Sequence, residues 1–158
     1  METLVLTPSE YEVERGKPMP SKNHSFIQAN LVFELTVRYR EQYRFGSEMS
    51  LRLDDWAAVP DVCIYPTMPL DILHDEISMT TPPLCTVEIL SPTQSLTELI
   101  TKAEKYLQLG VQSCWLVIPE FKNIYVFDQH LNYEIYRAHD TLQDPVLSIS
   151  LPLQGVFV

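Results

Sequence analysis

A helix with clear start and stop signals, placed between two apolar runs, most constrains the fold of this chain. Ser95–Glu98 matches a capping box, and Gly110 stands where a glycine commonly ends a helix. These signals predict a helix over residues 96–109. The runs Leu84–Leu90 and Ser113–Ile118 on either side are nearly continuously apolar, as is typical of central strands. The centre of the chain is therefore predicted to alternate strand, helix and strand.

The flanking sequence predicts a further helix and several strands. The helix begins at Asn23 or Ser25 and runs to about Tyr43, and apolar residues cover most of its circumference. A helix of that kind is expected to be buried on more than one side, by its own sheet and by a partner chain. Alternation and turn residues predict strands at Phe45–Leu53, Val59–Tyr65 and Val146–Ser150, a hairpin of Asn123–Asp128 and Asn132–Arg137, a loop at 66–82 and a short strand at Tyr11–Val13. The order α-β-β-β-α-β, followed by the β-hairpin and a final strand, predicts one mixed α/β domain over residues 1–158.

The composition is that of a folded globular domain with an acidic surface. Of the 158 residues, 46% are hydrophobic and 20% are charged, which excludes disorder and coiled coil. Eleven Lys and Arg against 21 Asp and Glu give a net charge of −10, so the surface as a whole does not suit nonspecific binding of nucleic acid. A local basic groove is compatible with that balance, and its candidates are Arg38, Arg40, Arg44, Arg52, Lys102 and Lys105.

Cysteine usage and hydropathy indicate the compartment. The three cysteines lie far apart in apolar runs and the chain has only four histidines, which favours buried thiols of a reduced protein over a zinc site. No apolar run approaches the ~18 residues of a membrane span, and the N-terminus lacks the regions of a signal peptide. We therefore expect a soluble, cytoplasmic protein with no membrane partner.

Two carboxylates interrupt apolar strands, where charges are rarely buried unless they are paired or bind metal. Asp61 lies inside the second strand, on the face of Cys63, and Glu88 lies inside the third, on the face of Thr86. If these strands are neighbours, the two carboxylates converge and supply the oxygen ligands that Mg²⁺ prefers. The alternative is structural: Asp61 caps a turn after Pro60, and Glu88 is held by the turn that follows its strand.

Two further charged side chains are candidates for the same site. On a helical wheel, Lys102 falls inside the apolar arc between Tyr106 and Leu109, whereas Lys105 falls outside it. An inward ammonium needs a counter-charge, such as the strand glutamate that precedes the helix; equally, its stem could cover apolar surface. Glu34 on the first helix could also point inward, although solvent exposure is favoured.

Motifs spread over nearly the whole chain carry a resemblance to a known family. They are Tyr11-Glu12-x₃-Gly16, His24, Pro60–Val62, Val87–Thr93, Lys102-x₃-Tyr106-x₃-Gly110-Val111, Cys114–Val117 and Leu147–Leu153. In these motifs the chain resembles a restriction-endonuclease family, a domain of unknown function grouped with the PD-(D/E)XK nuclease superfamily. Each motif is weak alone, but the combination is specific.

The resemblance implies a restriction-endonuclease-like core and a Mg²⁺-dependent phosphodiesterase centre, in which Mn²⁺ can substitute. It makes Asp61 and Glu88 the metal ligands and, with Lys102, the catalytic residues. Candidate supporting acids are Glu34, Glu48 and Glu12. The superfamily pattern places a lysine two residues after the glutamate, where this chain has Leu90. In this family the lysine is displaced to the following helix, at Lys102, and its implied role is to position or deprotonate the attacking water.

The sequence leaves two functions open. The first is a Mg²⁺-dependent endonuclease that cleaves DNA as a homodimer through its apolar first helix, with low affinity because of the net charge of −10. The second is a catalytically inactive nuclease-fold protein for protein interaction or self-association, which the acidic loop at 66–82 also suits. A serine hydrolase centred on Ser91 or Ser95 is discounted, because no G-x-S-x-G motif surrounds either serine.

Overall fold

A computed structural model describes residues 7–158, which form three α-helices and ten β-strands. The helices are α1 (Glu10–Arg15), α2 (Lys22–Tyr39) and α3 (Leu96–Gln108). The strands are β1 (Tyr43–Ser47), β2 (Leu51–Leu53), β3 (Trp56–Ala58), β4 (Val62–Pro66), β5 (Cys85–Ile89), β6 (Ser113–Ile118), β7 (Asn123–Asp128), β8 (Tyr133–Arg137), β9 (Thr141–Asp144) and β10 (Ile149–Pro152). Short 3₁₀ helices cover Pro119–Phe121 and Leu153–Gly155.

Six strands form a mixed sheet in the order β1-β4-β5-β6-β7-β8. Strands β5 and β6 run parallel, and the other neighbours pair antiparallel. A parallel pair needs a crossover connection, and α3 supplies it. As predicted, this helix begins after the N-cap Ser95 and ends beside Gly110, whose left-handed φ of 107° suits glycine.

The two long helices pack on opposite faces of this sheet. Leu31 of α2 belongs to an apolar cluster with Val62 and Val87, whereas Leu99 of α3 belongs to a second cluster with Cys63. Because successive strand residues point to opposite faces, the sheet separates the two clusters. The predicted mixed α/β fold is confirmed.

Two small antiparallel sheets extend these layers. The β2–β3 pair packs with the α3 cluster, through Leu51, Leu53 and Ala58. The β9–β10 pair packs with the α2 cluster, through Leu142 and Leu151. The β2–β3 pair therefore lies on the same face of the sheet as α3.

Two predicted strands near the N-terminus differ from the structure because local interactions override the pattern. Tyr11–Val13 lies in α1, since Ser9 and Glu12 form a reciprocal capping box that starts a helix there. The predicted strand Phe45–Leu53 divides into β1 and β2, since Glu48 between them adopts a left-handed φ of 52° that breaks the extended chain.

The predicted final strand at Val146–Ser150 is also wrong in its bounds. A turn occupies its first half, because the Asp144 carboxylate accepts the backbone N–H groups of Val146 and Leu147 at 3.0 and 3.3 Å. The chain pairs on either side of this turn, as β9 and β10. Alternation alone did not reveal the carboxylate that closes the turn.

Helix α2 is shorter than predicted, and the sheet covers one side of it. Ser21 caps its start, and it ends at Tyr39. Its buried residues are His24, Ile27, Leu31 and Leu35. Phe26, Phe33 and Val37 remain 60%, 63% and 66% exposed, so burial on a second side does not occur within the described chain. Among residues 7–158, no helix has the length and apolar character needed to cross a bilayer.

Candidate active site

Asp61 and Glu88 lie side by side near the centre of the sheet. Asp61 immediately precedes β4 and Glu88 lies in β5, and the antiparallel pairing of Val62 with Val87 sets these two residues opposite each other. Both are fully buried, with 0% exposure, and their strand positions face the α3 side of the sheet. The structure therefore brings the two strand carboxylates to one place.

Four donors surround the carboxylate of Asp61. Lys17 Nζ and Arg15 Nη2 donate to its Oδ1 at 2.6 and 3.0 Å. The Ile89 backbone N–H donates to Oδ2 at 2.7 Å, and His24 Nε2 lies 3.1 Å from the same oxygen. Burial by itself would raise the pKa of Asp61, but the His24 hydrogen bond and the Lys17 ammonium outweigh it and hold that pKa at about 2. Asp61 is therefore an ionised carboxylate at neutral pH.

Glu88 is held by three side chains, two from α3 and one from the segment after α1. The Tyr106 hydroxyl donates to its Oε1 at 2.9 Å, and Lys102 Nζ lies 3.3 Å from the same oxygen. Lys17 Nζ donates to Oε2 at 3.3 Å. Burial, together with the nearby Glu88 charge, raises the pKa of Tyr106 well above its ordinary value, so its hydroxyl remains a donor.

The Lys17 ammonium bridges the two carboxylates, since it contacts both Asp61 Oδ1 and Glu88 Oε2. Its position depends on Gly16, which ends α1 with a left-handed φ of 71°. That conformation favours glycine and turns the chain at the end of α1, and the next residue, Lys17, is buried. The side chain of Lys17 is 3% exposed.

Arg15 connects a third carboxylate to this group. Its guanidinium contacts both Glu48 and Asp61, and the Tyr11 hydroxyl donates to the other oxygen of Glu48 at 2.7 Å. Three carboxylates (Glu48, Asp61, Glu88) therefore face three cations (Arg15, Lys17, Lys102), and the formal charges cancel, 3 − 3 = 0. This charged cluster compensates its own buried charge, as burial requires.

The sequence candidates are distributed unevenly around this cluster. Lys102 lies in it, and Glu48 joins it through Arg15. Two of the candidate supporting acids lie in other contacts. Glu12 is used in the capping box of α1, and Glu34 pairs with Arg38 on its own helix, four residues on.

Sequence reasoning missed four members of the cluster. Arg15 and Lys17 lie in a polar, proline-bearing segment without periodicity, and their partners are distant in sequence. Tyr106 stands out in the sequence as a member of a family motif and of the apolar arc of its helix, and neither gives it a role at the carboxylates. His24 belongs to the family motifs, which give it no role. The apolar pattern of α2 does not distinguish it from its neighbours. The pair Gly16-Lys17 is a signal that could have found one of them, because a basic residue follows the glycine that ends a short helix.

The oxygen donors of this cluster fit a hard divalent cation. Two carboxylates from adjacent strands already share one cation, the Lys17 ammonium, so one ion can contact both. Mg²⁺ is commonly held by one or two carboxylates and completes its coordination with water. Residues 7–158 contain no group of three or more His, Cys, Asp or Glu side chains that could hold a metal ion, so the protein ligands offered here are the two carboxylates.

Comparisons with known proteins relate this fold to nucleases. The model of the Uma2 family, described as "Putative restriction endonuclease", matches residues 10–157. Among solved structures, the chain is similar to a protein from Anabaena variabilis described as a "putative nuclease belonging to DUF820". The two are 25% identical with a TM-score of 0.76, over 89% of this chain and 83% of that one. No curated protein matches the chain.

These matches agree with the architecture described above. A mixed sheet with helices on both faces and a nuclease-like structural relative confirm the predicted restriction-endonuclease-like core. The family model extends over nearly the whole sequence. This chain therefore belongs to the Uma2 family.

Proposed function

We propose that this protein is a Mg²⁺-dependent nuclease that hydrolyses phosphodiester bonds in DNA, with Asp61, Glu88 and Lys102 as its catalytic residues. The observation that carries this proposal is the pair of fully buried carboxylates on adjacent strands, which share one cation at 2.6 and 3.3 Å. Membership of the family and the structural relative support a nuclease, and nucleases of this kind favour a divalent metal.

Asp61 and Glu88 would hold the metal in place of the Lys17 ammonium that they share. Bound Mg²⁺ supplies activation of a water molecule and neutralises charge that develops on the phosphate. His24 and the Ile89 amide would keep Asp61 oriented, because both contact the oxygen that Lys17 does not.

Lys102 would act on the water and the phosphate. Its Nζ is buried and lies within ion-pair distance of Glu88 Oε1, 3.3 Å, but the described part of the chain gives it no acceptor in hydrogen-bonding geometry. A buried ammonium with free donors can position a water molecule or stabilise an anionic oxygen. Leu90, at the position of the usual superfamily lysine, packs with the apolar cluster under α3 and offers no amine.

Cleavage assays on a panel of DNA and RNA substrates test this proposal. We expect cleavage with Mn²⁺ or Mg²⁺ that EDTA abolishes, with DNA as the preferred substrate. Glu88→Gln and Lys102→Met should each reduce the rate by about 100-fold or more, since they remove a metal ligand and a charge-stabilising donor. The control is Arg137→Gln, an exposed position on the edge strand β8, which removes one charge far from the carboxylates.

Thermal unfolding must show that the variants are folded under assay conditions. Unchanged cleavage in both Glu88→Gln and Lys102→Met would contradict the assigned roles. Absence of cleavage on every substrate, together with absence of Mn²⁺ binding by calorimetry, would contradict the nuclease itself.

A second candidate function is self-association without catalysis, and α2 favours it. Phe26, Phe33 and Val37 form an exposed apolar stripe along this helix, which suits a homodimer interface. Under this proposal, Phe33→Ser shifts sedimentation from dimer to monomer, whereas Phe121→Ser at an exposed turn does not. Calorimetry separates the two functions, because a module of this kind would bind no Mn²⁺ at Asp61.

A further inference from the structure

A pocket opens beside the charged cluster. Its volume is about 570 Å³, which lies in the range of ligand-binding clefts. It is lined on one side by the strand β3 and on the other by the first turns of α3, and Arg15 and Gly16 also line it. Its lining residues include Trp56, Ala57, Thr101, Lys102 and Lys105.

Arg15 and Lys102 connect this pocket to the carboxylates. Arg15 contacts Asp61 at 3.0 Å and Lys102 contacts Glu88 at 3.3 Å, and both side chains also line the pocket. Each has a buried nitrogen that finds no hydrogen-bond partner within residues 7–158, Nε of Arg15 and Nζ of Lys102. The Arg15 side chain is only 3% exposed. Unsatisfied buried donors cost free energy, which a ligand acceptor at the inner end of the pocket would recover.

The distribution of charge permits an anion at this place. The pocket and the cluster together contain four cations and four carboxylates, so their sum is 4 − 4 = 0. The cations are Arg15, Lys17, Lys102 and Lys105, and the carboxylates are Glu48, Asp61, Glu88 and Glu98. The whole chain has a net charge of −10, so that excess lies entirely outside this region. The net charge of the whole chain repels a polyanion, but the charges of this region add no net repulsion.

We infer that this pocket binds a backbone phosphate of the nucleic-acid strand, adjacent to the phosphate that is cleaved, with Lys105 as the outer anchor. Lys105 is exposed and lines the pocket, and its Nζ lies 5.9 Å from the centre of the Trp56 ring, which keeps the amine at the pocket wall. The ligand of this pocket is a phosphodiester. The inference rests on the proposed function and specifies one contact of its substrate.

Binding of a short oligothymidylate in EDTA tests this subsite, because cleavage is then excluded and the substrate contact is measured alone. Lys105→Gln should weaken binding by roughly threefold and reduce the slope of log K against log salt by about 0.7, the value for one phosphate contact on a single strand. Glu98→Gln, in the same pocket, should strengthen binding by a similar factor. Arg137→Gln removes the same charge on the distant edge strand and is the matched control.

The chemistry of the ligand is tested with two further probes. A methylphosphonate oligothymidylate, which has the same bases but neutral linkages, should not bind if the phosphate is recognised. Inorganic phosphate should bind more weakly than the oligonucleotide; equal affinity would identify a site for free phosphate and overturn the inference. Equal weakening in Lys105→Gln and Arg137→Gln would also overturn it, because net charge alone would then explain the effect.

Tryptophan fluorescence locates the contact independently. Trp115 is fully buried and Trp56 lines the pocket, so a change of emission on adding the oligonucleotide reports Trp56. Trp56→Phe should remove this signal, and a signal that survives would place the ligand elsewhere. If the binding and fluorescence results hold in EDTA but no cleavage occurs with Mn²⁺, the nuclease is contradicted and the strand-binding pocket stands. If cleavage occurs but the binding and fluorescence results fail, only the pocket is contradicted.

Discussion

Two buried aspartates on opposite faces of the sheet are held in different ways. Asp144, at the end of β9, is 1% exposed and accepts from the Ser113 hydroxyl at 2.5 Å and the Trp115 indole at 2.8 Å. Two backbone N–H groups complete its partners. These four donors are neutral. Asp61 instead has Lys17 and Arg15 on one oxygen, both from the segment around the end of α1.

The difference shows that burial of a carboxylate does not by itself indicate a functional site. Asp144 closes a turn and ties β9 to β6 through fixed neutral donors, so its role is structural. Asp61 faces a second carboxylate and is neutralised by ammonium and guanidinium groups on long side chains. A charge neutralised by cations can be neutralised by another cation, whereas a charge held by neutral donors offers no such exchange.

The largest effect is expected at the structural aspartate. Asp144→Ala leaves four buried donors without an acceptor and should lower the free energy of unfolding by about 4 kcal/mol, measured by urea denaturation. The neighbouring exposed Gln143→Ala is the control and should change stability by less than about 0.5 kcal/mol. A loss of under about 1 kcal/mol in Asp144→Ala would show that the turn does not depend on its carboxylate.

The stability of the fold at low pH should reveal the lowered pKa of Asp61. The pKa of Asp61 is about 2 in the folded chain against an ordinary 3.8, because the favourable contacts of His24 and Lys17 exceed the cost of burial. A carboxyl group whose pKa is lowered by folding stabilises the fold at pH values above its pKa in the unfolded chain. That contribution is lost as the pH falls towards its pKa in the folded chain. Between about pH 4 and pH 2 the wild type should therefore lose about 2 kcal/mol that Asp61→Asn does not lose.

Chemical denaturation at a series of pH values measures this difference. Both proteins share every other titrating group, so the difference between their curves reports the Asp61 carboxyl and its interactions with His24 and Lys17. Parallel curves for the wild type and Asp61→Asn would mean that the cations around Asp61 do not hold its pKa down.

The same comparison explains what could be predicted from the sequence. The β5–α3–β6 unit was predictable because its caps and apolar runs are local signals, and Asp61 and Glu88 stood out because charges interrupt apolar strands. The partners of Asp61 were not predictable, since Lys17 is 44 residues away and follows no periodicity. Asp144 was missed for a related reason: its two side-chain donors lie on β6, about 30 residues away, and its own surroundings resemble a loop.

The smallest effect concerns exchange of the internal cation for a metal. Lys17→Met removes the ammonium that contacts Asp61 at 2.6 Å and Glu88 at 3.3 Å, so a metal no longer has to displace it. We expect Mn²⁺ affinity to rise about tenfold by calorimetry, equivalent to about 1.4 kcal/mol. In EDTA the variant should be less stable than the wild type, because two buried carboxylates then face each other without their shared cation.

Added Mn²⁺ should restore the stability of Lys17→Met by more than it stabilises the wild type, since binding to the folded state adds its free energy to that of folding. Lys22→Met, at an exposed position in the first turn of α2, should leave both quantities unchanged. Asp144→Asn should also leave Mn²⁺ affinity unchanged, because the donors that the described residues place at that carboxylate are neutral. Equal Mn²⁺ affinity in Lys17→Met and the wild type would mean that the ammonium and the metal do not share a position. Asp61 and Asp144 would then differ only in the charge of their partners.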